Sequence, residues 1–296
     1  MIYVVTIHWR TPKWIDPQLD YLKRHINAPF RVFATLNDLK ERSMWERFDY
    51  ADDRRGHHGL KLNALAQRVT DEADPSDILI FLDSDAFPIR PLDHWLEANL
   101  AHHPLIAVQR RENFGDLRPH PSFCATTVAY WDRIGGDWSR EPWTTPLGEV
   151  LEDAGTRVLR SLDEARAEWL PLVRTNTREV HPLFFGVYGH YVYHHGAGSR
   201  ASWSGHDDQR VFTDSVPTDQ SLRTLASEVT KDPRLLLRVR PKHRDVLMGA
   251  VARSVSQVRM RLIVRSTKRK SHRVFRRLSR DPSFYLDFDD AAIGGV

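Results

Sequence analysis

Apolar residues cluster along this chain in short runs and in helical spacings that follow one another in turn. Val4 to Trp9 reads as a first strand, Gln18 to Arg24 as a helical segment, and Phe30 to Thr35 as a second strand. In "GLKLNALAQRV", Leu60, Ala64 and Val69, with their neighbours Leu62 and Leu65, recur at helical spacing. An unbroken apolar run, Ile78-Leu79-Ile80-Phe81-Leu82, then ends in two carboxylates, Asp83 and Asp85, separated by Ser84. Further on, "LDHWLEANLA" predicts a short helix, and "PLIAVQR" and "PSFCATTVAYW" predict strands. Leu147, Val150, Leu151 and Ala154 predict a helix over 146–154, and "GVYGHYVYHHGAGSR" predicts a last strand entering a glycine-rich loop. Beyond about residue 216 the pattern becomes helical. Strands alternating with helices imply an α/β layer structure with a mixed, mainly parallel, Rossmann-like sheet flanked by helices. An α/β domain over 1–215 and a helical, basic C-terminal extension over 216–296 follow from this pattern.

Composition narrows the class. At 296 residues, 41% hydrophobic and 28% charged, the chain is long enough for a sizeable core and too apolar to be disordered. The lone Cys124 excludes an internal disulfide framework and agrees with a reducing, cytoplasmic setting. No apolar run approaches the roughly 18 residues of a membrane-spanning helix, so any membrane contact is expected to be peripheral, at the inner face. The charge is uneven: residues 253–280 hold eleven of the 43 Lys and Arg and none of the 39 Asp and Glu, leaving the remainder net acidic. With Val251, Val255, Val258 and Leu262 at helical spacing, this segment reads as a basic amphipathic helix for an anionic membrane surface. A helix packed on the α/β domain is the rival reading, and nucleic acid is the weakest of the three.

Two carboxylates at the end of a buried strand need a counter-charge, because an uncompensated buried anion is strongly disfavoured. Hard oxygen ligands at this spacing suit Mg²⁺ or Mn²⁺. The alternative is that Asp83 and Asp85 only cap the turn before Pro88. "HHGAGSR" would bring backbone N–H groups, and Arg200 a bidentate donor, towards phosphate oxygens.

The ordered set "VVTIHW", "HHGLKLNAL", "ILIFLDSDAFPI" and "YVYHHGAGSR", over roughly residues 1 to 205, resembles the GT-A glycosyltransferases, which use nucleoside-diphosphate sugars. That resemblance implies a GT-A-like fold, a Mn²⁺ or Mg²⁺ cofactor, and sugar transfer from the donor to a hydroxyl on a glycan or lipid-linked acceptor. It implies metal contact by Asp85, donor and sometimes metal contact by Asp83, donor contact at Ser84, and a metal-binding histidine at His194 or His195. It places His58, Lys61 and Asn63 among donor contacts, and Thr6 and His8 near the nucleobase. An inverting enzyme would also need a general base, with Glu149, Glu152 and Asp153 as candidates. Two alternatives stand beside it: a haloacid-dehalogenase-like phosphohydrolase, whose D-x-D also follows an apolar strand, and a non-enzymatic membrane or nucleic-acid adaptor. Phe87 stands where the phosphohydrolase family carries Thr or Val, and the adaptor leaves the carboxylates unexplained.

Overall fold

The computed structural model describes residues 1–111, 116–144, 150–176, 185–196 and 269–281. In chain order they form β1 (Ile2–Trp9), α1 (Ile15–His25), β2 (Phe30–Asn37), α2 (Arg42–Trp45), β3 (Tyr50–Asp52), α3 (His58–Thr70), β4 (Ile78–Asp83), β5 (Ala86–Pro88) and α4 (Asp93–Leu100). These are followed by β6 (Leu105–Gln109), β7 (Pro119–Thr127), α5 (Val128–Arg133), β8 (Glu141–Thr144), β9 (Val150–Asp153), α6 (Thr156–Glu164), β10 (Leu170–Leu172), β11 (Gly186–Tyr188) and β12 (Val192–His194). A last helix, α7, covers 269–278.

Seven strands make one sheet in the order β10-β6-β7-β4-β1-β2-β3. β4, β1, β2 and β3 are parallel neighbours and so are β10 and β6, while β7 runs antiparallel between β4 and β6. The sheet is therefore mixed and mainly parallel, as the alternation of strands and helices predicts. Successive side chains along each strand divide between two cores. Val4, Val32, Ile80, Leu82 and Phe123 face one core together with α1 and α4. Val5, Ile7, Phe33, Leu79, Phe81 and Cys124 face the other, against α3, α5 and α6. Covering on both faces explains why the central strands are apolar at nearly every position.

A smaller sheet, β11-β12-β5, stands beside the carboxylate end of β4. Its outer face and α7 share a third core of Trp14, Tyr21, Phe87, Phe185, Tyr193, Val274 and Leu278. The described part of the basic segment is thus a helix packed on the α/β domain. The stripe from Val251 to Leu262 and the 215/216 boundary lie outside the described residues.

The structure corrects four local expectations. Of the segment 146–154, the described residues 150–153 are strand and not helix: β8 and β9 pair antiparallel, with Trp143 opposite Leu151, and 145–149 lie outside the described residues. Tertiary anchoring decides this short apolar run. Arg118, 2% exposed and paired with Asp116 at 2.8 Å, reaches Thr156 Oγ1 at 3.0 Å, and its guanidinium lies 5.0 Å from the Trp143 ring centre. The end of "PSFCATTVAYW" is helix α5, because the Thr127 hydroxyl accepts the Tyr130 N–H at 3.2 Å and caps it. "GVYGHYVYHH" is a hairpin of two strands. Gly189 (φ 56°) and His190 (φ 65°) form its turn, and Tyr191 N–H donates to Tyr188 O at 3.0 Å, the type I′ geometry that suits strand twist. In α3 the buried face is Gly59, Lys61, Leu62, Leu65, Ala66 and Val69, whereas Leu60 is exposed.

Candidate active site: two carboxylates and a histidine beyond β4

β4 lies between β1 and β7 and delivers Asp83 at its C-terminal end, level with Ile7 of β1. The chain turns at Ser84 and Asp85, which are 3% and 4% exposed, and continues as β5. Gln18 of α1 holds this turn. Its amide N–H groups donate to Asp83 O at 2.7 Å and Ala86 O at 2.9 Å, and its oxygen accepts from His8 Nε2 at 3.1 Å. β12 pairs with β5 so that His194 stands opposite Ala86, and His195 N–H donates to Asp85 O at 2.9 Å.

This pairing brings His194 to the carboxylates. Its Nε2 lies 3.5 Å from Asp83 Oδ2 and 3.5 Å from Asp85 Oδ1. Asp83, Asp85 and His194 each offer a ligand atom, all within 4.8 Å of one another. His58, in the first turn of α3, closes the other side of Asp83, with Nε2 3.1 Å from Oδ1. The N-terminus of α3 reaches this position because Gly59 has no side chain; a Cβ there would stand 1.9 Å from Trp138 O. Asn63 reinforces the contact by accepting Trp138 N–H at 2.8 Å.

Burial works to raise the Asp83 pKa, but the His58 hydrogen bond and the charges of His58, His194 and His120 outweigh it and hold the carboxyl well below its ordinary range. Asp85 is also burdened by burial, yet His194 lowers it below the ordinary carboxylate value. Both are carboxylates at neutral pH. Two anionic oxygens and an imidazole nitrogen fit a hard or borderline divalent cation such as Mg²⁺ or Mn²⁺. The donor set thus fits the metal implied by the family resemblance.

Several sequence-predicted residues stand elsewhere. His195 points away from the carboxylates, its ring centre 4.6 Å from Trp14 and 5.2 Å from Phe185, and burial drives its pKa down to about 3. Thr6 and His8 are 0% and 1% exposed and lie inside the α1 layer. Burial lowers the His8 pKa to about 4, against the Gln18 hydrogen bond. Asn63 spends its side chain on Trp138 and Asp137. Lys61 is 9% exposed rather than on a wet face, and burial lowers its pKa, with Arg55 adding to the effect. Glu152 and Asp153 are exposed on β9, where Asp153 Oδ1 accepts the Ala154 N–H at 2.8 Å. Glu149 and Arg200 lie outside the described residues.

Two site residues escape sequence reasoning. Gln18 carries no motif, and only the fold places it under the turn. His120, between two prolines, is carried to within 6.3 Å of the His194 ring, centre to centre, by a register shift between β6 and β7 that pairs Val108 with His120 directly after Ala107 with Cys124. Burial, with Arg110 adding, keeps its pKa well below the ordinary value.

No family model and no curated protein matches the chain. Among solved structures it is similar to S. aureus TarS, at 12% identity and TM-score 0.35, over 46% of this chain and 30% of that one. It is also similar to the bifunctional glycosyltransferase WbbM, at 14% and 0.32, over 45% and 32%. A third is the apo form of the glycosyltransferase GlyE from Streptococcus pneumoniae TIGR4, at 16% and 0.33, over 45% and 35%. The matches span about a third of these longer chains. With TM-scores this low, the functional reading rests on the residues of the site.

Proposed function

We propose that the protein is a glycosyltransferase that moves a sugar from a nucleoside diphosphate to a hydroxyl on a glycan or lipid-linked acceptor. The observation that carries this reading is the convergence of Asp83, Asp85 and His194 at the C-terminal end of β4. Ligands of open α/β sheets lie beyond the C-terminal strand ends, and a polarised donor diphosphate needs a cation there.

Asp85 and His194, with Asp83, would hold Mn²⁺ or Mg²⁺, which when bound supplies Lewis-acid stabilisation of a departing diphosphate. The remaining work falls to the chain. Asp83 is set by His58 to accept from a sugar or ribose hydroxyl, and Ser84 lies within the same turn. The N-terminal N–H groups of α3 and its partial positive charge favour phosphate oxygens. Lys61 and Arg200 are further donor-side cations in this reading, and the base that takes the acceptor proton comes from Glu149, Glu152 or Asp153. Peripheral contact with an anionic membrane surface through 253–280 belongs to the same reading. Its support is the eleven basic residues there and the fact that no described helix is long and apolar enough to cross a membrane.

Calorimetric titration of the full chain with UDP, GDP, dTDP, CDP and ADP, each with and without Mn²⁺, tests the proposal. Mn²⁺-dependent binding of one nucleotide is the expected result. Binding indifferent to Mn²⁺ would remove the metal from the mechanism, and no binding across the panel would overturn the transferase reading.

A further inference from the structure

α7 has two faces with different fates. Val274 and Leu278 are 5% and 3% exposed and enter the third core, while Phe275 packs edge-on against Trp14 at 4.8 Å between ring centres. Ser271, on the same inward side, places its Oγ 2.9 Å from His195 Nε2. The outward side carries Arg269, Arg273, Arg276 and Arg280, all exposed. Spacings of four and three residues put Arg269, Arg273 and Arg276 on one stripe of the helix, about 10 Å long at 1.5 Å per residue, and Arg280 follows two residues past its end. None of the four has a carboxylate partner among the described residues, although the chain pairs many other arginines. Arg269, His272, Arg273 and Arg276 line one open concavity.

The inward face touches the strand that matters for the site. His195 follows His194 directly, and its own N–H binds Asp85 O. The third core thus joins α7 to β12, which carries His194, and to β5, which follows Asp85 directly.

We infer that α7 is a strap: its arginine stripe docks on an anionic bilayer, and its inner face, through Ser271 and His195, passes that docking on to β12. It deepens the membrane contact of the proposed function, and it rests on the transferase reading for what His194 does once held. The stripe suits a plane of phosphate headgroups. It offers guanidinium donors for phosphate oxygens, and Phe275, the one Phe, Tyr or Trp of α7, is turned inward, so the stripe presents no such ring as a platform for stacked bases. Because the apolar face is already occupied, contact is electrostatic, without insertion of the helix. A docked helix holds its guanidinium groups in line before contact, which lowers the ordering needed on binding, so the surface favours the docked state. By linkage, binding outside tightens β12 inside. Ser271 is a positioning residue in this scheme.

The test uses the full chain with phosphatidylcholine vesicles, with and without phosphatidylglycerol, and follows co-sedimentation and amide hydrogen exchange over residues 186–196. The chain should bind only the anionic vesicles, and exchange of the β12 amides should slow by about fivefold on binding, a typical coupling. Replacing all four stripe arginines by Ala should weaken binding by at least tenfold, although seven other Lys and Arg of 253–280 remain. Ser271→Ala should still bind but lose the slowing, whereas a merely structural Ser271 would raise exchange equally in both states. Unchanged binding by the four-arginine variant, or tighter binding of duplex DNA than of vesicles, overturns the partner. Faster exchange on the vesicle shows that the helix leaves its seat for the bilayer and overturns the strap, as does unaltered exchange. These readouts need neither metal nor nucleotide, so failure of the transferase reading is seen separately.

Discussion

His194 and His195 are neighbours of the same residue type, and the structure gives them opposite tasks. His194 faces Asp83 and Asp85 at 3.5 Å, where an imidazole nitrogen completes a cation site. His195 lies among Trp14, Phe185 and Tyr193, and its ring nitrogens are within hydrogen-bond distance of the Tyr193 hydroxyl and Ser271. The difference arises from the period-2 alternation of a strand, which sends successive side chains to opposite faces. One face of this small sheet meets charge and the other meets α7. Residue type alone therefore says little about ligand chemistry. What counts is which side of β12 a nitrogen occupies.

Substitutions on the two sides should separate cleanly. Asp85→Ala is expected to abolish Mn²⁺-dependent nucleotide binding in calorimetry while the far-ultraviolet circular dichroism stays unchanged; retained metal-dependent binding would remove Asp85 from the site. His194→Ala should also remove the Mn²⁺ dependence. By contrast, His195→Ala should keep it and lose about 3 kcal/mol of stability in urea unfolding, as expected for truncating a buried ring. The reverse pattern would exchange the two roles. Gln18→Ala, which strips hydrogen bonds from two carbonyls and from His8, should cost about 2 kcal/mol in the same assay. A stability unaffected by this change would mean that the turn holds its shape without α1.

The last expected effect is a pH slope. His8 is neutral in the folded chain because burial lowers its pKa to about 4 from the ordinary 6.5. The unfolded chain takes up that proton first as pH falls. Its contribution is therefore complete above pH 6.5 and is lost between there and about 4, with a slope of roughly 1.4 kcal/mol per pH unit. Unfolding measured across this window should show His8→Gln with a shallower slope than wild type. Equal slopes would assign the acid sensitivity to other groups.

Much of the architecture was legible from patterning. The strand ending at Asp83, the helix at 58–70 and the order of β1, α1, β2 and β4 all follow from apolar spacing. Short segments were less legible. "VLEDAG" and "TTVAYW" hold apolar residues that fit helix or strand equally well, and a buried arginine and a threonine cap settled them. The resemblance offered a histidine near the carboxylates but left 194 and 195 equivalent, since a hairpin with a tight turn and a single strand with a loop place them on different faces. Asn63 and Thr6 looked like ligand contacts by position. The structure shows Asn63 tied to Trp138 and Thr6 buried in the core.

Local pattern was enough to specify the α/β layering, the apolar strand and the paired carboxylates at its end, because burial of apolar residues at fixed spacing is a property of neighbouring positions. It also marked the basic C-terminal stretch, because charge is read directly from composition. The cluster of Asp83, Asp85 and His194, the clamp by Gln18, the shift that brings in His120 and the seating of α7 depend on which distant strands pair and in what register. Those pairings are set by the summed packing of residues far apart in the chain, and a register change of one residue would turn His194 into the aromatic core and His195 towards the carboxylates.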